Sequence, residues 1–318
     1  MTKVLYLIAS HSNPEQVIRL VRTLKAGSPE CQILIHHDHS SSRLDPAAFE
    51  SLSQVYILKD YVSVLWGDFS MIEMELHCIR WLMANKIEFD WLVLLSGQDY
   101  PIQPVNQIEQ FLQNTEYDGF IEYFPSEDPP STAWNWGKTQ GIERYFYRYY
   151  KMPSELKPVF YKLYRIVNRD WQPLLRVKSG RFGARLGLRC AVTPFSSDFH
   201  CYAGSQWHTL SYRCIEHIHQ FVQSHPAFVD HYRHTLIPDE SFFQTILLNE
   251  DSLKICNENK RYVSWRPPYP AILGVEDFDE LVASNKHFAR KFDERQDTKI
   301  LDLLEQHLQT APSTNVSS

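Results

Sequence analysis

The 318-residue sequence contains no Cys-x-x-Cys pair, no Gly-x-Gly-x-x-Gly turn and no P-loop lysine motif. Its six cysteines, Cys31, Cys78, Cys190, Cys201, Cys214 and Cys256, are scattered, which removes the usual framework of a disulfide-rich domain or a zinc site. The missing glycine motifs withdraw the usual support for dinucleotide oxidoreductases and P-loop NTPases. No apolar run approaches the length needed to cross a bilayer. The segment Val4–Ala9 is too short for a secretory core and leads into polar His11-Ser12-Asn13. The expectation is a chain with free thiols, cytoplasmic and at most peripheral to the inner membrane.

Hydrophobic residues make up 43% of the chain, enough for a substantial core in one large or two average domains. Aromatic residues reach 14%, with 17 Tyr and 8 Trp, a supply of flat amphipathic surface that suits carbohydrate. The net charge of −6 argues against a general nucleic-acid binder. That charge is unevenly spread: Lys138 to Arg189 holds thirteen Lys or Arg against Glu143, Glu155 and Asp170, interleaved with Tyr145, Tyr147, Tyr149, Tyr150, Tyr161 and Tyr164. Such a stretch is either a solvated basic face or a surface for an anionic acceptor, a phospholipid head group or a diphosphate.

The first 125 residues alternate between two periodicities. Apolar runs at Val4–Ser10, Gln32–His36, Gln54–Leu58, Trp91–Leu95 and Gly119–Tyr123 read as strands. Pro14–Lys25, Asp68–Asn85 and Asn106–Gln113 carry apolar residues at helical spacing. The fold class that follows is α/β, a mostly parallel sheet flanked by helices, with ligands expected where strand carboxyl ends meet loops. Further on, Ser211–Gln223, Asp239–Leu248, Asp277–Ala283 and Asp297–Gln309 read as helices. One domain over 1–310 is expected, with a nucleotide-binding half at 1–125, an acceptor and catalytic half at 126–310, and a frayed tail at 311–318.

Three constellations carry potential chemistry. His36-His37-Asp38-His39 ends the second strand, but neighbours on a strand point to opposite faces, so at most alternate members share one ion. A site for a nucleotide base or ribose at Asp38, or simple turn chemistry, are the other readings. Asp239-Glu240 at a helix start either complements the helix dipole or supplies a general base. A glycosidase needs two carboxyls across a sugar, which sequence neighbours rarely provide. Phe288-Ala289-Arg290-Lys291-Phe292-Asp293 sets two cations among aromatics, fitting either an amphipathic surface segment or an anion site that Arg261 and Arg266, flanking Trp265 upstream, can join.

With these segments in view, the sequence resembles glycosyltransferase family 14, the core-2/I-branching β-1,6-N-acetylglucosaminyltransferases and peptide O-xylosyltransferases, from about Lys3 to about Leu304. The blocks that carry the resemblance are Ile35-His36-His37-Asp38; Val64-Leu65-Trp66-Gly67 with Ser70; Leu95-Ser96-Gly97-Gln98-Asp99-Tyr100-Pro101-Ile102; Gly204-Ser205-Gln206-Trp207 with Thr209-Leu210-Ser211; Pro238-Asp239-Glu240-Ser241-Phe242-Phe243; Arg261-Tyr262-Val263-Ser264-Trp265; and the Phe288 hexapeptide. One block is weak; seven in order are specific.

The resemblance implies a GT-A-like, Rossmann-type fold and an inverting transfer from a UDP-sugar to a hydroxyl of a glycan, glycolipid or peptide. It implies no metal and no cofactor, because the family lacks the metal-binding DxD motif; Asp277-Phe278-Asp279 matches by letter but is read as a helix cap. Glu240 is the implied catalytic base, and Lys291 the implied diphosphate ligand, with Arg261 or less directly Arg266. His36, Asp38, Trp66, Gly67, Ser96 and Asp99 are the expected donor-side residues. Trp207, Asp239, Trp134 and Trp136 are expected to face acceptor or sugar, with acceptor loops in 126–189. Arg290 receives no assigned role, and whether it does more than face solvent is left open. The donor sugar, N-acetylglucosamine or xylose, is not distinguished by these blocks. The eukaryotic relatives are anchored lumenal proteins with disulfides, whereas this sequence shows no anchor, so a bacterial-type enzyme is expected, drawn to the membrane by the basic segment. Two alternatives stay open: a binding module of the same fold without catalysis, and a metal hydrolase built on the histidines.

Overall fold

The computed structural model describes residues 2–131, 136–153, 164, 167–168, 173–266 and 269–310. Its strands are β1 Val4–Ser10, β2 Gln32–His37, β3 Val55–Ile57, β4 Trp91–Ser96, β5 Asp99–Pro101, β6 Gly119–Pro125, β7 Tyr147–Lys151, β8 Leu175–Gly180, β9 Gly183–Arg189, β10 Tyr202–Ser211, β11 Ile255–Cys256, β12 Arg261–Val263, β13 Trp265–Arg266, β14 Tyr269–Pro270 and β15 Phe288–Arg290. The central sheet runs β11-β6-β10-β4-β1-β2-β3. The β3-β2-β1-β4 half is parallel throughout, whereas β10 lies antiparallel between β4 and β6. The expected α/β fold, a mostly parallel sheet between helices, is what forms.

Strand periodicity divides the core between two faces. Leu5, Leu7, Leu92 and Leu94 pack with the helices Ser70–Ala84, Tyr212–Ser224 and Phe242–Leu248. Val4, Tyr6, Ile8, Val93 and Leu95 pack on the other face with Pro14–Gly27, Val105–Asn114 and Lys299–Thr310. Residues of β1 and β4 are therefore apolar on both sides, the signature of strands covered by two helical layers.

Three small sheets decorate this frame. β5, β15 and β12 form one, with β15 antiparallel to β5 and parallel to β12. Its register sets Arg290 opposite Asp99 and Val263, which draws the two last sequence blocks onto the end of β4. β13 and β14 pair as a short hairpin. β7, β9 and β8 form an antiparallel sheet within the interval 126–189 that was expected to hold loops. The reason is a period of two over Tyr147–Tyr150: Tyr147 and Tyr149 are buried, Arg148 between them is half-buried and Tyr150 is exposed.

The expected helix Asp239–Leu248 breaks. Pro238–Glu240 is a 3₁₀ turn, and the helix starts at Phe242 after Ser241 leaves helical geometry. The Ser241 hydroxyl donates to the Tyr202 carbonyl at 2.6 Å, which ties the break to β10. Asp277 ends a 3₁₀ turn and accepts the Gly274 amide at 2.9 Å, so its carboxylate closes the turn behind it and makes no cap bond to the helix Phe278–Ala283 that it was expected to cap. Among the described residues no helix is long and apolar enough to cross a membrane. The expected tail 311–318 lies outside the described residues.

Candidate active site

The carboxyl ends of β1, β2 and β4 lie side by side, and the segments after them interlock. Gly97, just past β4, presses so closely on the helix Pro14–Gly27 that a Cβ would sit 2.9 Å from Val17 Cγ2. Gln16 bridges the two sides, donating from Nε2 to the carbonyls of Gly97 at 2.8 Å and Phe292 at 3.0 Å. After β2, the His36 Nε2 accepts the Val62 amide at 2.9 Å and Asp38 Oδ2 the Val64 amide at 2.8 Å. Burial lowers His36 to about 4, so the ring stays neutral and can accept. Asp38 is held below its ordinary range by the amides and hydroxyls it accepts from, against the opposing effect of burial. These two residues thus brace the chain that leads to Trp66 and Gly67.

His36 and His37 leave β2 on different sides; His37 Nδ1 meets Ser10 Oγ at 2.8 Å and its Nε2 meets Ser42. Among the described residues no group of three or more His, Cys, Asp or Glu is placed to hold a metal ion.

The densest charge lies past β4. Asp99 is wholly enclosed, accepting the Ser96 amide at 2.8 Å and the Ser96 hydroxyl. Arg261 Nε lies 3.4 Å from Asp99 Oδ1 and Arg290 Nε 3.6 Å from Oδ2, so one carboxylate serves two guanidiniums. The Trp207 ring faces both cations, 4.2 Å from Arg290 and 5.6 Å from Arg261. Arg261 also donates to the Leu94 carbonyl at 2.7 Å, and its Nη1 is buried without a partner among the described residues. Burial lowers Arg261 to about 10, with Asp99 pulling the other way and Arg290 adding to the depression.

Arg290, whose role the sequence left open, does not face solvent: its side chain is 12% exposed. The β5–β15 pairing turns it inward onto Asp99, a contact across 191 positions of chain that no local pattern announces. Lys291 follows at the edge of the cluster. Burial, then the charges of Arg290 and Arg181, hold it down at about 8 against the pull of Asp99. Arg266, by contrast, is 59% exposed and pairs with Asp277 at 3.2 Å, apart from Asp99.

The second part of the site is the turn Pro238–Glu240. Ile237, in a left-handed conformation at φ 48°, donates its amide to the Gly67 carbonyl at 3.0 Å, so the Trp66–Gly67 segment sits against the turn. Gly67 itself has φ 72°, where a side chain is strained. Glu240 Oε2 lies 2.5 Å from Arg144 Nη1, and that guanidinium stacks 4.2 Å from the Trp136 ring. Arg144 was not singled out by sequence, being one basic residue in a basic stretch. Asp239, expected to face acceptor, is instead 5% exposed with Oδ1 unpartnered among the described residues. Burial raises it to about 7, with Glu240 and Glu75 adding to the rise. Glu75 and His208 face each other at 2.8 Å, both buried.

Strand β10 joins the two parts. Ser241 and Gln244 reach from the Glu240 side to the carbonyls of Tyr202 and Ser205, while Trp207 on the same strand covers the arginines. Trp66 is 42% exposed, and Trp134 lies outside the described residues. The two parts are thus a cluster of cations about Asp99 and a turn that carries the Glu240 carboxylate, tied together through β10.

Residues 5–282 match the family model described as Core-2/I-Branching enzyme. The sequence is 24% identical, over 92% of its length, to xylosyltransferase oxt of Drosophila pseudoobscura pseudoobscura, and 25% identical, over 96%, to xylosyltransferase 2 of Homo sapiens. It is 24% identical, over 96%, to beta-glucuronosyltransferase GlcAT14B of Arabidopsis thaliana. The chain spans 32% and 34% of those xylosyltransferases and 66% of the glucuronosyltransferase.

Proposed function

The chain belongs to the core-2/I-branching enzyme family, and from that premise we propose that it is an inverting glycosyltransferase that moves a sugar from a UDP-sugar to a hydroxyl without a metal ion. The observation that carries the reading is the gathering of Arg261, Arg290 and Lys291 about Asp99, the one carboxylate they share among the described residues, together with a turn that presents Glu240.

Transfer breaks the bond between the anomeric carbon and the β-phosphate oxygen, leaving negative charge on the diphosphate. That charge needs a divalent ion or fixed cations aimed at the oxygens. Lys291 supplies a point charge at the edge of the cluster, and Arg261 and Arg290 supply a preorganised field behind it. On the opposite side of the anomeric carbon, Glu240 takes the proton of the acceptor hydroxyl as the new C–O bond forms. Arg144 keeps Glu240 in one orientation. The acceptor is a glycan, a glycolipid or a peptide. The relatives' names point to xylose and glucuronate as donor sugars to try beside N-acetylglucosamine.

The test is UDP release from UDP-xylose, UDP-N-acetylglucosamine and UDP-glucuronate, with an acceptor panel and with EDTA. Turnover of one donor in EDTA, giving a β-linked product, is expected. Failure of all three to bind or react overturns the reading, and strict dependence on added manganese overturns its metal-free part.

A further inference from the structure

Strand β10 changes step with β6 beside the cations. Gly204 pairs with Tyr123 and His208 with Ile121, so Ser205, Gln206 and Trp207 stand opposite Glu122 alone. This is a bulge, the device by which a strand re-aims a side chain. Gly204 opens it at a point where a Cβ would collide with the Glu122 carbonyl oxygen, so the close approach requires glycine. Trp207, the last residue of the bulge, is the one whose ring lies 4.2 Å from Arg290.

Two buried side chains hold the bulge. Gln244 donates from Nε2 to the Ser205 carbonyl at 2.7 Å, and His208 Nδ1 meets the Gln206 carbonyl at 3.0 Å. A carbonyl only accepts, so Nδ1 carries a proton and Nε2 is the nitrogen left to face Glu75. Glu75 Oε1 lies 2.8 Å from Nε2, and neither atom has a hydrogen-bond partner elsewhere among the described residues. One proton between the two satisfies both, whichever of them carries it. The imidazole is therefore fixed at one end by the helix Ser70–Ala84 and at the other by the bulge, with the Phe243 ring 5.5 Å away.

Resting on the glycosyltransferase reading, we propose that His208 is a positioning residue for donor binding, holding the β10 bulge so that Trp207 keeps Arg290 and Arg261 in place for the diphosphate. The two guanidiniums need such support. Asp99 holds them at 3.6 and 3.4 Å, longer than the charge-assisted bonds that lock a guanidinium by themselves. The Trp207 ring faces both, and an indole that is itself held still fixes the cations lying against it. His208 touches neither sugar nor nucleotide in this scheme and acts only through Trp207.

Titration calorimetry of the full chain with UDP tests this through substitutions that keep one end of the imidazole at a time. His208→Asn places an amide nitrogen where Nδ1 stands and keeps the bond to the Gln206 carbonyl, whereas His208→Gln reaches Glu75 and gives that bond up. His208→Gln is expected to lose about tenfold in UDP affinity, about 1.4 kcal/mol, and His208→Asn clearly less. In a Trp207→Phe background the loss from His208→Gln should vanish to within about twofold, because the residue acts through that ring; a merely structural role would give losses that add. Gln244→Met removes the other tie to the bulge at similar length, should show the same dependence on Trp207, and serves where a His208 variant does not fold. Unchanged UDP affinity in His208→Gln or Gln244→Met, equal losses in the two His208 variants, or losses additive with Trp207→Phe overturns the inference while leaving the glycosyltransferase reading intact. Wild-type protein that binds no UDP overturns that reading instead.

Discussion

Arg144 Nη1 stands 2.5 Å from Glu240 Oε2 while its guanidinium stacks on Trp136, so the carboxylate assigned as base is held by a cation that is itself held by an indole. The side chains of Arg144 and Glu240 are 13% and 30% exposed, which makes this a sheltered pair open on the Glu240 side. A general base with one oxygen tied and one available is oriented without being consumed.

Glu240→Gln is expected to abolish transfer while UDP binding stays within about twofold, because the amide keeps the shape and loses the proton acceptor. Calorimetry with UDP and a UDP-release assay check it together. Near-normal turnover would sink the assignment.

Arg144→Gln should lower kcat by about 10²-fold, the scale of general-base catalysis, with little change in the donor KM. Arg144→Lys should recover part of kcat, since it retains charge but not the planar stack on Trp136. Equal loss in both variants with an unchanged melting temperature would contradict the orienting role.

Arg290→Ala should destabilise the fold as well as weaken UDP binding. It leaves the enclosed Asp99 with one guanidinium instead of two, and breaking a buried pair costs about 3–5 kcal/mol. A drop in melting temperature of at least about 5 °C is expected by calorimetry. No drop would mean that Asp99 does not depend on Arg290.

The pH dependence of donor binding follows from Lys291. Its amine is held at about 8 in the free protein, and a diphosphate favours the charged form. UDP affinity should be greatest below that pH and fall as pH rises through it, with proton uptake on binding near pH 8 to 9. Calorimetry in buffers of different ionisation enthalpy measures that uptake. Lys291→Ala should lose it, along with affinity.

Asp239 makes a separate prediction about stability. Its carboxyl is raised to about 7, above the ordinary value near 3.8, so the folded chain binds more protons than the unfolded chain between those limits. This group's contribution is present at low pH and lost as pH rises through about 7. Asp239→Asn should therefore exceed wild type in melting temperature by several degrees at pH 8, where the loss is complete, and by clearly less at pH 5, where it is only partial. Parallel melting curves at both pH values would refute it.

Several elements were legible because their physics is local. Val4–Ser10 and Trp91–Ser96 are apolar on both faces, and Pro14–Gly27 repeats its apolar residues at helical spacing, so each announces its own form. Asp277 stands directly before the helix Phe278–Ala283, as its place in the sequence suggests, but its carboxylate bonds back to Gly274 instead of capping that helix. The strand Tyr147–Lys151 was not read from the sequence, although Tyr147, Arg148, Tyr149 and Tyr150 alternate as strands do, because the pattern covers only a few residues of a stretch dominated by charge. The break at Ser241 was hidden because a serine that leaves the helix to bind β10 looks the same in sequence as one that caps it.

The sequence by itself determined the α/β grammar, the order of the blocks and the kinds of side chain available at the strand ends, since these depend on periodicity and residue type. Which cations gather, and around what, was decided only by the tertiary structure. Arg290 turns inward because β15 pairs with β5 and sets it opposite Asp99, whereas Arg266, as promising by type, ends on the outside beside Asp277. Charges interact through distance and burial, and both are properties of strand register across nearly two hundred residues rather than of any window along the chain.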